Sequence, residues 1–261
     1  MRWVRYEDMG EAVYGIVERD MVQPVRGNPF DGYEKLGEPR ALGGVKLLVP
    51  VLPKVFYAAG LNYVDHIMEY AAKTGREPNI PPEADVGYRA NNALIAHGET
   101  IVIPAGATER VEYEAEVVVV IGKKAKNLTE ANALDCVLGY TIGNDMSERT
   151  WQKSDRTLWR AKNSDTFKPM GPWIETDAKL EDMETIVRVN DEETIRFATN
   201  KMLFSVQTFL ARMSKYMELQ PGDVVWMGTE GISPEVKHGD QIDIEITGIG
   251  TLSNPVVRAG Q

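Results

Sequence analysis

The sequence predicts a β-rich α+β fold, and three observations carry that prediction. Short apolar runs broken by Gly, Pro, Asn and Asp recur along the chain, as in "AVYGIVERDMVQPV" and "DQIDIEITGIGTLSNPVV", which is the rhythm of hairpins. The segment "EYEAEVVVVI" at 112–121 alternates and then turns continuously apolar, as a strand does where both of its faces are covered. Helical rhythm is confined to separate stretches such as "YVDHIMEYAAKT" at 63–74 and "KMLFSVQTFLARMSKYM" at 201–217, so strands and helices do not alternate regularly.

In chain order, residues 1–53 read as a small N-terminal β unit, with a hairpin in "AVYGIVERDMVQPV" and another strand in "GVKLLVPVLP". The larger unit, 54–261, opens with "KVFYAAGLNY", a strand entering a turn at Gly60, followed by the helix at 63–74. Residues 75–92 are rich in Pro, Gly and Asn and read as a long loop of the kind that shapes a site. After the strand at 112–121, "TEANALDCVLG" reads as a helix and "YTIGND" as a strand, and "SERTWQKSD" begins a helix or turn that Ser147 can cap. The C-terminal part adds a hairpin from "TIVRVN" to "ETIRFA", a strand in "DVVWMG" and a final strand pair.

A chain of 261 residues that is 43% hydrophobic can bury a substantial core. Its 29 Lys and Arg against 39 Asp and Glu leave a net charge of -10, which argues against a nucleic-acid partner. The single cysteine, Cys136, sits in an apolar stretch and reads as a buried, inert thiol. No apolar run has the length of a membrane span, and the N-terminal residues lack a signal-peptide core. The expected setting is the cytoplasm, with no membrane partner.

The residues with chemical promise begin with Glu112, Glu114 and Glu116, which alternate onto one face of the predicted strand. Glu116 runs straight into "VVVV", so its carboxylate needs a cation or strong hydrogen bonds. Asp145, at the end of the next predicted strand, can join Glu114 and Glu116 around a hard divalent ion. Glu112 reads as a solvent-facing neighbour.

His66 and Glu69 are three apart on a helix, so the carboxylate can support the imidazole as a base. The bland alternative is an ordinary surface pair. Lys162, within "RTLWRAKNSDTFKPMGPW", suits a substrate carboxylate or a developing enolate. Arg149 and Gln152 can face one another beside Asp145, and Thr229 in "MGTEG" can hold one end of an anion. His97 and His238 lie beside glycines and read as structural.

Taken together, "GLNYVDHIMEY", "VEYEAEVVVVIG", "GYTIGNDMSERTWQ", "AKNSDTFKPMGPW" and "PGDVVWMGTEG" closely resemble the fumarylacetoacetate hydrolase family over roughly residues 54–258. The resemblance implies a mixed β-roll catalytic domain, commonly a homodimer, that binds Mg²⁺ or Mn²⁺. It carries the metal ligands to Glu114, Glu116 and Asp145, the catalytic pair to His66 and Glu69 on a short lid helix, and the active-site lysine to Lys162. Thr229, Arg149 and Gln152 fall at substrate-facing positions. The chain departs from the family pattern in having Arg89 where a lysine is frequent, Phe197 where a glutamine is common, and Glu230 where a proline follows the threonine.

The expected activity is therefore metal-dependent cleavage of a C–C bond in a small anionic 2-oxo acid, such as an acylpyruvate or fumarylpyruvate-like compound. An oxaloacetate-type decarboxylase, or an isomerase of an unsaturated 2-oxo diacid, is the alternative, because the same chelated carbonyl serves each. A non-catalytic β-rich interaction protein ranks lower and predicts no shared cavity for the acidic residues and Lys162.

Overall fold

The computed structural model describes residues 1–75 and 77–261, with the side chains of His66, Tyr70, Lys73 and Thr74 outside the described residues. It is a strand-rich α+β fold with a small N-terminal β unit. The largest sheet runs in the order Gly32–Lys35, Met21–Asn28, Glu11–Glu18, Arg2–Asp8, Lys168–Glu175, Val137–Asn144, Ala115–Ile121, Val224–Trp226, Phe56–Ala59, Val86–Tyr88. Arg2–Asp8 pairs antiparallel with Lys168–Glu175, so the N-terminal strands continue the main sheet. A second sheet orders Ile101–Ile103, Gly250–Arg258, Gln241–Ile246, Glu184–Val189 and Glu192–Ala198.

The strand Ala115–Ile121 is buried throughout. Val117, Val119 and Ile121 join the core with Ile242, Ile244 and Ile246 of the second sheet. Val118 and Val120 face the opposite way, against Phe56, Ile174 and Trp226. That two-sided burial is the reason the sequence turns continuously apolar there.

Among the described residues, four α-helices punctuate the strands: α1 (Val64–Thr74), α2 (Arg149–Gln152), α3 (Trp159–Asn163) and α4 (Val206–Tyr216). The Ser205 side chain caps α4 by accepting from the Thr208 backbone N–H, so its first turn starts five residues later than the apolar pattern suggests. Among the described residues, no helix is long and apolar enough to cross a membrane.

Several local expectations are corrected. The segment 112–121 is two strands, Val111–Glu112 and Ala115–Ile121, because the Glu114 N–H turns to Asn144 Oδ1 and leaves the ladder. The stretch 129–139 forms only a 3₁₀ turn at Ala133–Cys136, since Val137 already belongs to the next strand. Cys136 is free and buried there. Glu148, not Ser147, caps α2 through the Trp151 N–H, while Ser147 Oγ donates to the Asp145 carbonyl. The loop at 75–92 contains a short strand, Val86–Tyr88, that pairs with Phe56–Ala59.

Candidate active site

Adjacent strands set the acidic cluster. In the antiparallel register Ala115 faces Asn144 and Glu116 faces Gly143, so Glu114, Glu116 and Asp145 emerge at one end of the pair. A Cβ on Gly143 would lie 2.7 Å from the Trp226 ring. Glycine there lets the indole press against the strand that ends in Asp145. Asp145 is tied down by its own backbone N–H donating to the Glu114 carbonyl at 2.9 Å.

Ligand oxygens of Glu114, Glu116 and Asp145 lie within 4.8 Å of one another, and all three residues are buried. They line a cavity of ≈ 350 Å³ together with Arg89, Arg149, Gln152, Leu158, Lys162, Gly228 and Thr229. A cavity of this size at the ends of rigid strands suits a small ligand. The dispersed carboxylates that an interaction protein predicts are not what the fold builds.

Four cations answer the buried carboxylates. Lys162 Nζ, on α3, bridges Glu114 Oε2 at 2.5 Å and Asp145 Oδ2 at 3.0 Å. Arg149 Nε pairs with Glu112 Oε2 at 2.6 Å and its Nη1 with Glu114 Oε1 at 2.7 Å. Arg149 Nη1 also donates to Gln152 Oε1 at 3.0 Å. Arg89 Nη2 reaches Asp145 Oδ2 at 2.8 Å, and Lys168 Nζ reaches Asp145 Oδ1 at 2.6 Å.

The charges are unevenly shared. Burial pushes the Asp145 carboxyl up, but Arg89, Lys162 and Lys168 outweigh it and hold the group well below the usual carboxylate range. Burial also pushes up Glu116, and the neighbouring Asp145 and Glu114 carboxylates add to that push more than Lys162 and the Gly228 N–H relieve it. That N–H donates to Glu116 Oε2 at 2.7 Å. Gly228 turns it inward with φ +87, a conformation natural to glycine. Burial lowers the Lys168 ammonium to about 8, with Asp145 opposing the change.

The structure thus brings seven of the residues singled out in the sequence to one cavity: Glu114, Glu116, Asp145, Arg149, Gln152, Lys162 and Thr229. Glu69 is exposed on α1 and lies outside the cavity lining. Its Oε2 approaches the turn at Gly231, 4.0 Å from where a Cβ would stand. The side chain of His66 lies outside the described residues, so its pairing with Glu69 does too. Glu112 is corrected: it is 3% exposed and held by Arg149, which a solvent-facing residue would not be. His97 and His238 each accept a backbone N–H on Nδ1, from Ser253 and Arg258 respectively.

Sequence reasoning assigned no role to Lys168 and noted Arg89 only as a departure from a pattern. The remaining departures also have places. Phe197 packs edge-on against Tyr63, with ring centroids 5.4 Å apart. Glu230 meets Asp65 and Glu69 of α1, and burial followed by those two carboxylates pushes its own carboxyl up.

Fold and site define a class: a strand-rich α+β protein with a buried tricarboxylate cluster able to hold a divalent cation inside a small cavity. The model of the fumarylacetoacetate (FAA) hydrolase C-terminal family matches residues 55–257, and a Rv2993c-like N-terminal model matches residues 1–50. The chain belongs to the fumarylacetoacetate hydrolase family. It is 40% identical to Protein Rv2993c of Mycobacterium tuberculosis over 90% of this chain and 87% of that one. It is 36% identical to the mitochondrial oxaloacetate tautomerase fahd2 of Xenopus laevis, over 82% of this chain and 69% of that protein. Among solved structures it resembles a 5-carboxymethyl-2-hydroxymuconate delta-isomerase from Mycobacterium smegmatis, with a TM-score of 0.89 and 34% identity over 99% of this chain and 100% of the other.

Proposed function

We propose that this protein is a divalent-metal-dependent tautomerase or isomerase of a small 2-oxo diacid, of the oxaloacetate type or its unsaturated analogues. The observation that carries the reading is the cavity of ≈ 350 Å³ in which three buried carboxylates stand beside Lys162, Arg89 and Arg149. Such a place offers a cation to a chelating 2-oxo carboxylate and fixed positive groups to a second carboxylate. The similarity to a tautomerase and to an isomerase supports proton transfer over the C–C hydrolysis that the His66–Glu69 spacing first suggested.

The donor set fits a hard ion such as Mg²⁺ or Mn²⁺, since every candidate ligand is a carboxylate oxygen. Glu116 gives the fit a physical test. Its ionised form is disfavoured by burial and by its acidic neighbours, and a divalent cation among the three carboxylates would remove that disadvantage. When bound, the ion supplies Lewis-acid polarisation of the 2-oxo carbonyl.

The protein's own groups do the rest. Arg149, Gln152 and Thr229 hold the substrate's carboxylates and fix its orientation. His66, supported by Glu69 on α1, takes the proton from the carbon next to the carbonyl and returns it at the new position. Lys162 Nζ steadies negative charge as it grows on the former carbonyl oxygen. The proton removed is the proton returned, so no water is consumed and no C–C bond breaks.

The test is a panel assay on the purified chain with Mn²⁺ or Mg²⁺ and with chelator. The expected result is metal-dependent acceleration of enol-to-keto conversion of oxaloacetate, or a double-bond shift in an unsaturated 2-oxo diacid, followed by ultraviolet absorbance. Cleavage of acylpyruvates to pyruvate and an acid, with no effect on tautomer exchange, would replace this reading by hydrolysis.

A further inference from the structure

Lys168 lies at the start of the strand Lys168–Glu175 and is completely buried, 0% exposed. An ammonium has three N–H donors, and all three are committed here. One goes to Asp145 Oδ1 at 2.6 Å, one to the Phe167 carbonyl at 2.8 Å and one to the Met146 carbonyl at 3.1 Å. The Met146 N–H in turn donates to the Phe167 carbonyl at 3.1 Å. Lys168 therefore joins the chain just after Asp145 to the strand beside it.

The other cations on Asp145 differ in one respect. Arg89 and Lys162 line the cavity, while Lys168 does not. Groups that face the cavity can exchange a carboxylate for an incoming ion or substrate. Lys168 has no such exchange open to it, because its ammonium meets only protein. Its ammonium meets Asp145 on Oδ1 at 2.6 Å, whereas Lys162 Nζ and Arg89 Nη2 sit on Oδ2 and Arg89 Nε straddles both oxygens at 3.2 Å. Among the described residues, Lys168 thus makes the shortest cation contact on Oδ1 and the only one that does not line the cavity.

We infer that Lys168 is a positioning residue that holds Asp145 by Oδ1 so that Oδ2 is the oxygen presented to the divalent ion. This rests on the metal-dependent reading above. A fixed partner behind a ligand carboxylate orients it, and such partners typically contribute about 10–100-fold in metal affinity. Lys168 also carries positive charge, and a charge acting alone would do the opposite: its removal would leave a more negative site that binds the ion more tightly. The sign of the change therefore separates orientation from simple charge balance.

The experiment measures Mn²⁺ affinity by electron paramagnetic resonance on the wild type, Lys168→Met and Lys168→Gln, together with thermal unfolding in chelator. Lys168→Gln keeps a neutral donor for the two carbonyls but is one atom too short to reach Asp145 as the lysine does, so it guards against a Lys168→Met protein that fails to fold. The expected result is about 10-fold or greater loss of Mn²⁺ affinity in the folded variants. Affinity equal to or tighter than wild type, with only the unfolding temperature lowered, would overturn the inference and leave Lys168 a structural charge partner. A wild type that binds no Mn²⁺ would instead overturn the metal-dependent reading itself.

Discussion

The acidic floor of the cavity and the helix α1, which follows the lining residues Leu61 and Asn62 in the chain, are built in different ways. The floor carries Glu114, Glu116 and Asp145 on strand ends, each 7% exposed or less, and every one is gripped by protein groups. The helix α1 is anchored at its entrance by side-chain hydrogen bonds. Asn62 donates to the Met227 carbonyl at 2.8 Å and accepts from the Phe204 N–H at 2.9 Å, and the Tyr63 hydroxyl donates to the Thr199 carbonyl at 2.6 Å. Past that anchor, Ile67 and Ala71 are buried while Asp65, Met68 and Glu69 face solvent. The Tyr63 N-cap of α1 makes no side-chain capping bond. A binding floor must be rigid to select an ion, and an element that admits a substrate must yield. Under the proposed function, metal affinity would be a property of the floor, and proton transfer would also depend on the helix.

The sharpest way to break that division is to alter one residue of each kind and read both properties. Glu116→Gln preserves shape and removes a candidate ligand charge. Mn²⁺ binding and turnover should fall together, turnover on the order of 10³-fold, as loss of Lewis-acid assistance worth several kcal/mol implies. His66→Ala should lower turnover by about 10²-fold, the lower end for a general base, with Mn²⁺ affinity within twofold of wild type. Titration with Mn²⁺ followed by steady-state rates checks both. If His66→Ala weakened metal binding as strongly as Glu116→Gln, floor and helix would form one unit and the contrast would fail.

Metal addition probes the floor alone. An ion bound to the folded state at about 100 times its dissociation constant stabilises it by about 2.7 kcal/mol. For a chain of this size that corresponds to a rise in unfolding temperature on the order of 5–10 °C. Differential scanning calorimetry with Mn²⁺ against chelator should show it. Glu116→Gln should abolish the shift, and His66→Ala should keep it.

The floor was more legible in the sequence than the helix, for physical reasons. A carboxylate followed by four valines is hard to place except beside a cation, so Glu116 stood out from local sequence. Strand alternation and the apolar run located its neighbours well enough, although the break at Tyr113 and Glu114 was hidden because it depends on an Asn144 side chain 30 residues away. The same limit hid Lys168 and the pairing of Arg89 with Asp145. Each is remote from Asp145 in sequence, and only the fold brings it within hydrogen-bond distance of that carboxylate. Glu112 was misread because its partner, Arg149, is remote in sequence. The unusual mixture of charge and aromatic residues around 156–173 was the one signal that could have exposed Lys168. In the helical stretch at 129–139, apolar rhythm lost to strand pairing, which claims Val137 onward.

Glu230 offers the mildest test, on the side of α1. Burial raises its carboxyl first, Asp65 and Glu69 raise it further, and Lys201 opposes them only in part. A carboxyl whose folded pKa lies above its unfolded value binds more protons in the folded state. Stability linked to it is then greatest below the ordinary glutamate range and declines as pH rises through the folded pKa. Glu230→Gln removes the ionised form and with it that decline. Because the side chain is only half-buried and solvent screens the neighbouring charges, the variant should gain no more than about 0.5 kcal/mol at neutral pH. The gain should shrink to nothing as the pH falls below the ordinary glutamate range, where Glu230 is already protonated. Mn²⁺ affinity should stay unchanged, since Glu230 is outside the cavity lining. Urea unfolding at neutral and acid pH measures the difference. A variant whose stability matches that of the wild type at both pH values would mean that solvent already dissipates the repulsion between this turn and α1.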